Sequence, residues 1–219
     1  HDSARARPAR GVAVSREIAE LIFPGLALGG FKAIVADPPW RFQTYGGPSE
    51  NAETGRGPDY PTMSLGAIKS LPVAELAAPD CVLFLWVTDP YLERGFEVIR
   101  EWGFTFKTVG LYWAKLRVPK GADPLPAVDD SFPMGNGYWT RANPETCLLA
   151  TRGRPKRLSA SVRRLVVAPR REHSRKPDES LDRVEALVEG PYVELFSRRT
   201  RPGWSAWGAD SGIFDEVAA

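Results

Sequence analysis

Hydrophobic and polar positions along the chain form short apolar blocks that alternate with longer amphipathic segments. Short apolar runs rich in branched and aromatic residues are typical of buried strands. They predict seven strands, over Lys32–Ala36, Val82–Thr88, Thr105–Lys115, Glu145–Thr151, Leu165–Ala168, Tyr192–Phe196 and Ser205–Gly208. Strands that alternate with helices favour an α/β fold, a mainly parallel sheet with helices on both faces.

Helical periodicity is clearest after Asp89, which we expect to cap an amphipathic helix. The apolar positions that recur there at helical spacing are Tyr91, Leu92, Phe96, Ile99 and Trp102. Three further helices are predicted over Ser15–Leu21, Ser64–Leu71 and Pro177–Val188. Residues 41–62 and 117–143 lack periodicity, and aperiodic segments of that length are usually functional loops or disordered.

Composition indicates one globular domain. The chain has 219 residues, of which 43% are hydrophobic, and no internal linker divides it, so we expect a tail over residues 1–14 and a single domain over residues 15–219. No apolar run approaches the roughly 20 residues of a membrane span, and no secretory signal is seen, which favours a cytoplasmic protein without a membrane partner. Cys81 and Cys147 lie in apolar runs typical of buried free thiols. With only two histidines, we expect no metal site.

Charge is distributed unevenly although the net charge is only +2. Between Arg152 and Lys176 the chain carries ten basic residues and one acid, Glu172. Such a strip either tracks the phosphates of a nucleic acid or is simply a solvated face.

The most informative motif is Asp37-Pro38-Pro39-Trp40, which follows the first predicted strand. The prolines lack an N–H group and hold the residues before them extended, so no helix can use the nearby carbonyls. A rigid group of acceptors beside an aromatic face suits a planar ring that carries an amino group. The alternative is a proline-rich turn in which Trp40 only fills the core.

This motif and five later stretches, in the same order, resemble the MT-A seventy-type family of S-adenosylmethionine-dependent adenine-N6 methyltransferases. The resemblance spans Phe31 to Asp210. The later stretches are Tyr60-Pro61-Thr62-Met63, Gly137-Tyr138-Trp139 with Glu145-Thr146-Cys147-Leu148, His173 to Glu179, Val193 to Arg198, and Gly203 to Gly208. The resemblance implies a Rossmann-like class I methyltransferase fold with a permuted motif order, in which the catalytic motif comes first and the cofactor-binding strand last.

The resemblance also implies roles for individual residues. Asp37, Pro38, Pro39 and Trp40 would be catalytic: the Asp37 carboxylate and the Pro38 carbonyl would accept hydrogen bonds from the adenine amine, and Trp40 would stack on the base. The implied cofactor-binding residues are Ala36, Asp37, Lys176, Arg198, Gly208 and Asp210. The implied substrate-binding residues are Tyr45, Tyr60, Tyr138, Trp139, Arg141 and Glu145.

Two of these assignments are left open by the residues themselves. Lys176 would pair with the methionine carboxylate of the cofactor, or else be a surface lysine beside Pro177 at a helix start. Asp210 would accept the ribose hydroxyls, but the chain has Ala209 where the family has asparagine.

The function implied is methyl transfer to N6 of adenine in a polynucleotide, with DNA favoured over RNA. The implied cofactor is S-adenosyl-L-methionine, and the implied partners are nucleic acid and a possible homodimer or partner subunit. Other acceptors, namely cytosine N4 or a protein amide, remain open, as does a silent nucleic-acid-binding scaffold.

Overall fold

The fold was analysed in a computed structural model, which describes residues 10–41, 43–44, 47–48, 61–117, 132–135, 139–172 and 175–209. The helices are α1 (Arg10–Ile22), α2 (Leu65–Lys69), α3 (Leu92–Glu101) and α4 (Asp178–Leu187). The strands are β1 (Phe31–Ala36), β2 (Gln43–Thr44), β3 (Gly47–Pro48), β4 (Ala77–Val87), β5 (Thr105–Leu116), β6 (Glu145–Arg152), β7 (Leu165–Pro169), β8 (Tyr192–Leu195) and β9 (Trp204–Trp207). No described helix is both long and apolar enough to cross a bilayer.

Seven strands form one sheet in the order β7-β5-β6-β4-β1-β8-β9, and β2 pairs with β3 in a separate ribbon. Every pairing in the large sheet is parallel except those of β6, which runs antiparallel to β4 and to β5. The prediction of a mainly parallel sheet is therefore confirmed. One edge of the sheet gathers the carboxyl ends of six strands and the start of β6, and we call it the carboxyl edge.

Helices cover both faces of the sheet, as the sequence predicts. On one face the buried side chains of α1, α2 and α3 pack against alternate residues of the central strands, among them Ile34 of β1. On the other face α4 packs through Leu181 and Val184 against the intervening positions, among them Val35. From Ala33 to Ala36 successive side chains of β1 alternate between the two cores, which is why this part of its sequence is continuously apolar.

Several element boundaries differ from the predictions. Asp89 does not cap α3, because Asp89–Tyr91 form a 3₁₀ turn and the helix begins only at Leu92, with no side-chain cap at Tyr91. Strand β4 begins at Ala77, five residues earlier than predicted, because Ala77 already pairs with Phe31 of β1. Helix α1 begins at Arg10, within the segment expected to be a tail.

Candidate active site

Asp37 lies at the carboxyl edge, directly after β1. Its N–H donates to the carbonyl of Leu195 at 3.4 Å, which extends the β1–β8 ladder by one residue. The following prolines turn the chain: the Pro39 carbonyl accepts from the Met63 N–H at 2.9 Å, and the Pro38 carbonyl accepts from the Trp40 N–H at 2.8 Å. Both ends of the Asp37 turn are thus fixed by backbone hydrogen bonds, and the Pro38 carbonyl keeps one lone pair for a second donor.

Trp40 is held in place as part of the core. Its side chain is 3% exposed, its indole N–H donates to the Trp86 carbonyl at 3.1 Å, and its ring stacks on Tyr91 with centroids 5.3 Å apart. The alternative in which Trp40 fills the core therefore describes most of its surface. Stacking of Trp40 on a base stays a prediction, and little of the ring is exposed for it.

A cavity of about 500 Å³ opens beside Asp37. It is lined by residues near the carboxyl ends of β4 and β5, by residues that follow β1, β4 and β7, by the first residue of β6, and by Lys176 before α4. The lining residues are Asp37, Pro38, Trp40, Trp86, Val87, Thr88, Trp113, Lys115, Glu145, Arg170, Arg171, Glu172 and Lys176. No described residue of β8 or β9 lines the cavity, so it extends from Asp37 only towards the β4–β7 half of the sheet.

Two lysines and two carboxylates, which are the least exposed charged side chains of the lining, alternate at what we call the closed end of the cavity. Lys176 Nζ lies 2.5 Å from Asp37 Oδ2 and 3.1 Å from Glu145 Oε2. Lys115 Nζ lies 2.7 Å from Glu145 Oε1. Lys176 is only 10% exposed, so it is not the surface lysine of the alternative interpretation.

These contacts set the charges of the two acids differently. Burial opposes the ionisation of Glu145, but Lys176 and Lys115 outweigh it and lower the pKa of that carboxyl to about 2. Burial raises the pKa of Asp37, and Lys176 offsets this only in part. Lys176 keeps its proton because both carboxylates raise its pKa. Asp37 is therefore the more basic of the two carboxylates, and it is the one that precedes the two prolines of the turn.

Two indole rings form the walls behind this charge network. Lys176 Nζ lies 5.5 Å from the ring centroid of Trp86, and Lys115 Nζ lies 5.4 Å from that of Trp113. Each ammonium thus sits over an aromatic face that favours the charged form.

Asn143 fixes the backbone of Lys115. Its side-chain oxygen accepts from the Lys115 N–H at 3.0 Å, and its amide nitrogen donates to the Lys115 carbonyl at 3.1 Å. Because Trp113 pairs with Glu145 in the β5–β6 ladder, Asn143 replaces the next backbone pair of that ladder with a side chain.

The other side of Asp37 is formed by the ends of β8 and β9. Phe196 adopts a positive φ of 62° directly after β8, a conformation that is strained for a bulky residue and that clusters at functional sites. The turn brings the Ser197 hydroxyl within 2.9 Å of Glu194 Oε2. Burial raises the pKa of Glu194 to about 7. Arg199 is buried and pairs with Asp178, while its Nη2 atom has no partner among the described residues.

The predicted site residues fall into three groups. Asp37, Pro38, Trp40, Lys176 and Glu145 meet at the cavity. Ala36, Pro39, Arg198 and Gly208 do not line it: Ala36 is buried at the end of β1, and Arg198 and Gly208 lie on the β8–β9 side. Trp139, 98% exposed, and Arg141, also exposed, belong to this second group, since they do not line the cavity either. Tyr45, Tyr60, Tyr138 and Asp210 lie outside the described residues.

Sequence reasoning missed Trp86, Trp113 and Lys115. Their signal is position: each stands at or near the end of a predicted strand, and the carboxyl ends of parallel strands meet where such sheets bind ligands. Lys115 is the last residue of its predicted strand, and Trp113 lies two residues earlier, on the same face. The contact with Glu145 required knowing that β6 runs antiparallel.

Comparison with known proteins gives one family match and several relatives. A family model described as MT-A70 matches residues 31–210. The chain is 29% identical to the type II methyltransferase M.MunI of Mycoplasma sp, over 86% of this chain and 81% of that protein. It is 30% identical to an N(6)-adenosine-methyltransferase MT-A70-like protein of Drosophila melanogaster, over 83% of this chain and 27% of that protein. It is 28% identical to the N(6)-adenine-specific methyltransferase METTL4 of Homo sapiens, over 85% of this chain and 39% of that protein. The chain thus spans less than half the length of these two animal relatives.

Proposed function

Since the chain belongs to the MT-A70 family of methyltransferases, we propose that it transfers a methyl group to the exocyclic N6 of adenine in a polynucleotide, with S-adenosylmethionine as the donor. The observation that carries this proposal is the Asp37 turn: a carboxylate and a carbonyl at the inner end of a cavity walled by tryptophans. Hydrogen-bond acceptors with aromatic walls are what an aminopurine requires.

The chemistry asks the protein to make a poor nucleophile available. The lone pair of the adenine amine is delocalised into the ring, and acceptors placed at its two protons favour a pyramidal nitrogen. The Asp37 carboxylate and the free lone pair of the Pro38 carbonyl are the acceptors for those protons. The nitrogen loses one proton during the reaction, and Asp37, whose pKa is raised by burial, is the side chain to receive it.

Lys176 positions Asp37 and supplies no covalent chemistry. Two of its three protons are donated to Asp37 and Glu145, so the carboxylate of Asp37 is held with one oxygen paired and the other directed to the amine. Direct contact of Lys176 with the methionine carboxylate of the cofactor stays a prediction, since only the third ammonium proton remains for it.

The residues on the β8–β9 side fit the cofactor. Arg199 has a buried nitrogen without an acceptor in the described part of the chain, which suits the carboxylate of an amino acid, and Glu194 provides a carboxyl group suited to ribose hydroxyls. Arg198 lies in the segment after β8, and Gly208 directly follows β9. When bound, S-adenosylmethionine supplies an electrophilic methyl group on a positively charged sulfur. The Asp37 turn between the two sides would hold the amine towards that group and exclude water by packing.

We favour DNA over RNA as the substrate. The support is that the match to a bacterial type II methyltransferase covers 81% of that protein's length. Most of the length of the animal relatives, in contrast, lies outside the match. If the DNA is a duplex, the adenine must leave the base stack to reach Asp37.

The test is methyl transfer from labelled S-adenosylmethionine to matched DNA and RNA oligomers, with the modified nucleoside identified by mass spectrometry. N6-methyladenine is the expected product. Asp37→Ala should reduce turnover at least 10³-fold, on the order of a lost transition-state hydrogen bond and proton acceptor together. Glu189→Ala, an exposed acid that pairs with Lys32, is the control and should match the wild type. A methylated cytosine or protein, or turnover retained in Asp37→Ala, would contradict the proposal.

A further inference from the structure

One charged side chain at the cavity has no counter-ion within the described part of the chain. Seven charged residues line the cavity: Asp37, Lys115, Glu145, Arg170, Arg171, Glu172 and Lys176. The lysines and the two acids at the closed end neutralise one another. At the mouth, Arg171 pairs with Asp178 at 2.6 Å, and Glu172 pairs with Arg175 at 3.3 Å. Arg170 alone among the seven makes no side-chain hydrogen bond or ion pair with a described residue.

The position of Arg170 is fixed although its side chain is exposed. It follows β7 directly, and its N–H donates to the Leu116 carbonyl at 3.2 Å. This bond continues the parallel β5–β7 pairing beyond Pro169. The guanidinium therefore projects from an anchored backbone at the carboxyl edge, beside the cavity that contains Asp37.

The structure divides the basic strip of the sequence into two separate places. Arg163 and Arg164 precede β7, whereas Arg170 and Arg171 follow it, so the two pairs lie at opposite edges of the sheet. Arg164 and Arg170 flank the five residues of β7, which separates them by about 20 Å at the usual rise of a strand. The Arg163 carbonyl moreover accepts a hydrogen bond from the guanidinium of Arg183, which lies in α4. Only the second pair can act on a molecule bound in the cavity.

We propose that Arg170 binds the phosphate next to the target adenine when the base occupies the cavity. This inference rests on the proposed function. Adenine itself is uncharged, but every nucleotide in a chain carries a phosphate close to its base, and the planar guanidinium matches phosphate oxygens in two hydrogen bonds. Arg170 thus distinguishes an adenine within a polynucleotide from a free nucleoside.

The carboxylate of the cofactor is the other anion to consider, and its place is different. Glu194 and Arg199, which fit the cofactor, lie on the far side of β1, and Lys176, the other predicted partner of that carboxylate, contacts Asp37 and Glu145. The cavity with Arg170 extends from Asp37 in the opposite direction and takes no described residue from β8 or β9. An unpaired guanidinium at its mouth therefore faces the acceptor of the methyl group.

The test compares Arg170→Gln with Arg163→Gln on an oligomer that the wild-type protein methylates. We expect kcat/KM of Arg170→Gln to fall about 10- to 100-fold, as for loss of one charge-assisted contact. The slope of log kcat/KM against log salt should become shallower by about 0.7–0.9, the share of one phosphate. Arg170→Lys should keep the wild-type slope because it keeps the charge. Arg163→Gln should leave both quantities unchanged.

A neutral methylphosphonate placed on either side of the methylated adenine identifies the phosphate. One of the two substitutions should slow the wild type and leave Arg170→Gln unaffected, because the contact is already lost. If Arg170→Gln equals Arg163→Gln, or responds to both substitutions as the wild type does, Arg170 does not bind that phosphate while the methyltransferase assignment stands. If the wild type methylates no oligomer, the proposed function fails, and this inference fails with it.

Discussion

Glu194 is a carboxyl group whose surroundings favour the protonated form. Burial raises its pKa from the ordinary value of 4.5 to about 7, and the charge of Asp37 adds to this, while the bond from Ser197 opposes it. Arg199 Nε, at 3.8 Å, is too distant for a hydrogen bond and does not offset the burial. A carboxyl whose pKa is raised in the folded state contributes stability at low pH, and this contribution is lost as pH rises from about 4.5 through about 7. Near neutral pH the free energy of unfolding is therefore lowered by the ionisation of one buried acid.

Replacing Glu194 with glutamine tests this cost. The amide keeps an oxygen that can accept from Ser197 but cannot ionise, so Glu194→Gln should gain stability relative to the wild type as pH rises above about 5. The difference at pH 8 should be about 1–3 kcal/mol, since one pKa unit corresponds to about 1.4 kcal/mol. Urea unfolding at pH 5 and pH 8 measures it, with the exposed Glu189→Gln as the control. Equal pH dependence in wild type and Glu194→Gln would show that Glu194 ionises freely.

Individual residues also show how far the sequence could lead. The Asp37 turn was predictable because its chemistry is local: two prolines and an indole follow an apolar strand. The partners of Lys176 were not predictable, because Asp37 lies 139 residues away in sequence and the contact depends on how the strands are ordered. Lys115 shows the same limit, since nothing near it in sequence indicates that Glu145 faces it.

At the scale of elements, the ends of β8 and β9 approach each other unusually closely. A Cβ atom added to Gly208 would lie 2.5 Å from the Ser197 carbonyl oxygen and 2.9 Å from the Ser197 nitrogen. These are backbone atoms held by the bond from the Ser197 N–H to Trp207, so they cannot move aside as a flexible side chain would. A glycine at this position is required by packing, whatever its role towards a cofactor.

Gly208→Ala should therefore destabilise the protein by about 1–3 kcal/mol, the usual cost of overpacking, and should weaken cofactor binding by calorimetry. Gly66→Ala makes the same chemical change in α2, where the added Cβ meets nothing closer than 4.0 Å. It should stabilise the helix by about 0.5–1 kcal/mol. Opposite signs for the two variants in thermal unfolding are the expected result, and a neutral Gly208→Ala would mean that β9 can shift.

Elements were predicted well where one signal dominated and poorly where tertiary pairing decided. Strand β1 and helix α4 agree with prediction to within one residue because each has a regular apolar pattern. The antiparallel direction of β6 was not predicted, since an apolar run carries no information on direction. The start of β4 was also missed, because the exposed residues Pro79 and Asp80 interrupt the apolar pattern although the strand continues through them.

At the scale of the whole molecule, Lys176 joins parts of the chain that are distant in sequence. It connects the end of β1 and the start of β6 to the segment that enters α4. These elements belong to both cores of the sheet, so the charge network ties the carboxyl edge into one unit. Without the ammonium, two carboxylates would share a buried site with only Lys115 to balance them.

Lys176→Met is the test of this connection. Removing one partner of a buried ion pair typically costs about 3–5 kcal/mol, and we expect a loss of that order at pH 8. The pKa of Asp37 should rise further in the variant, so protonation adds stability below that pKa, and part of the loss should be recovered as pH falls from 8 to 5. Lys32→Met removes an exposed lysine that pairs with Glu189 at 2.8 Å, and such surface pairs contribute about 0–1 kcal/mol. Chemical unfolding of the two variants across this pH range separates the roles: a Lys176→Met variant that matches Lys32→Met at every pH would show that the carboxyl edge is held by its backbone ladders alone.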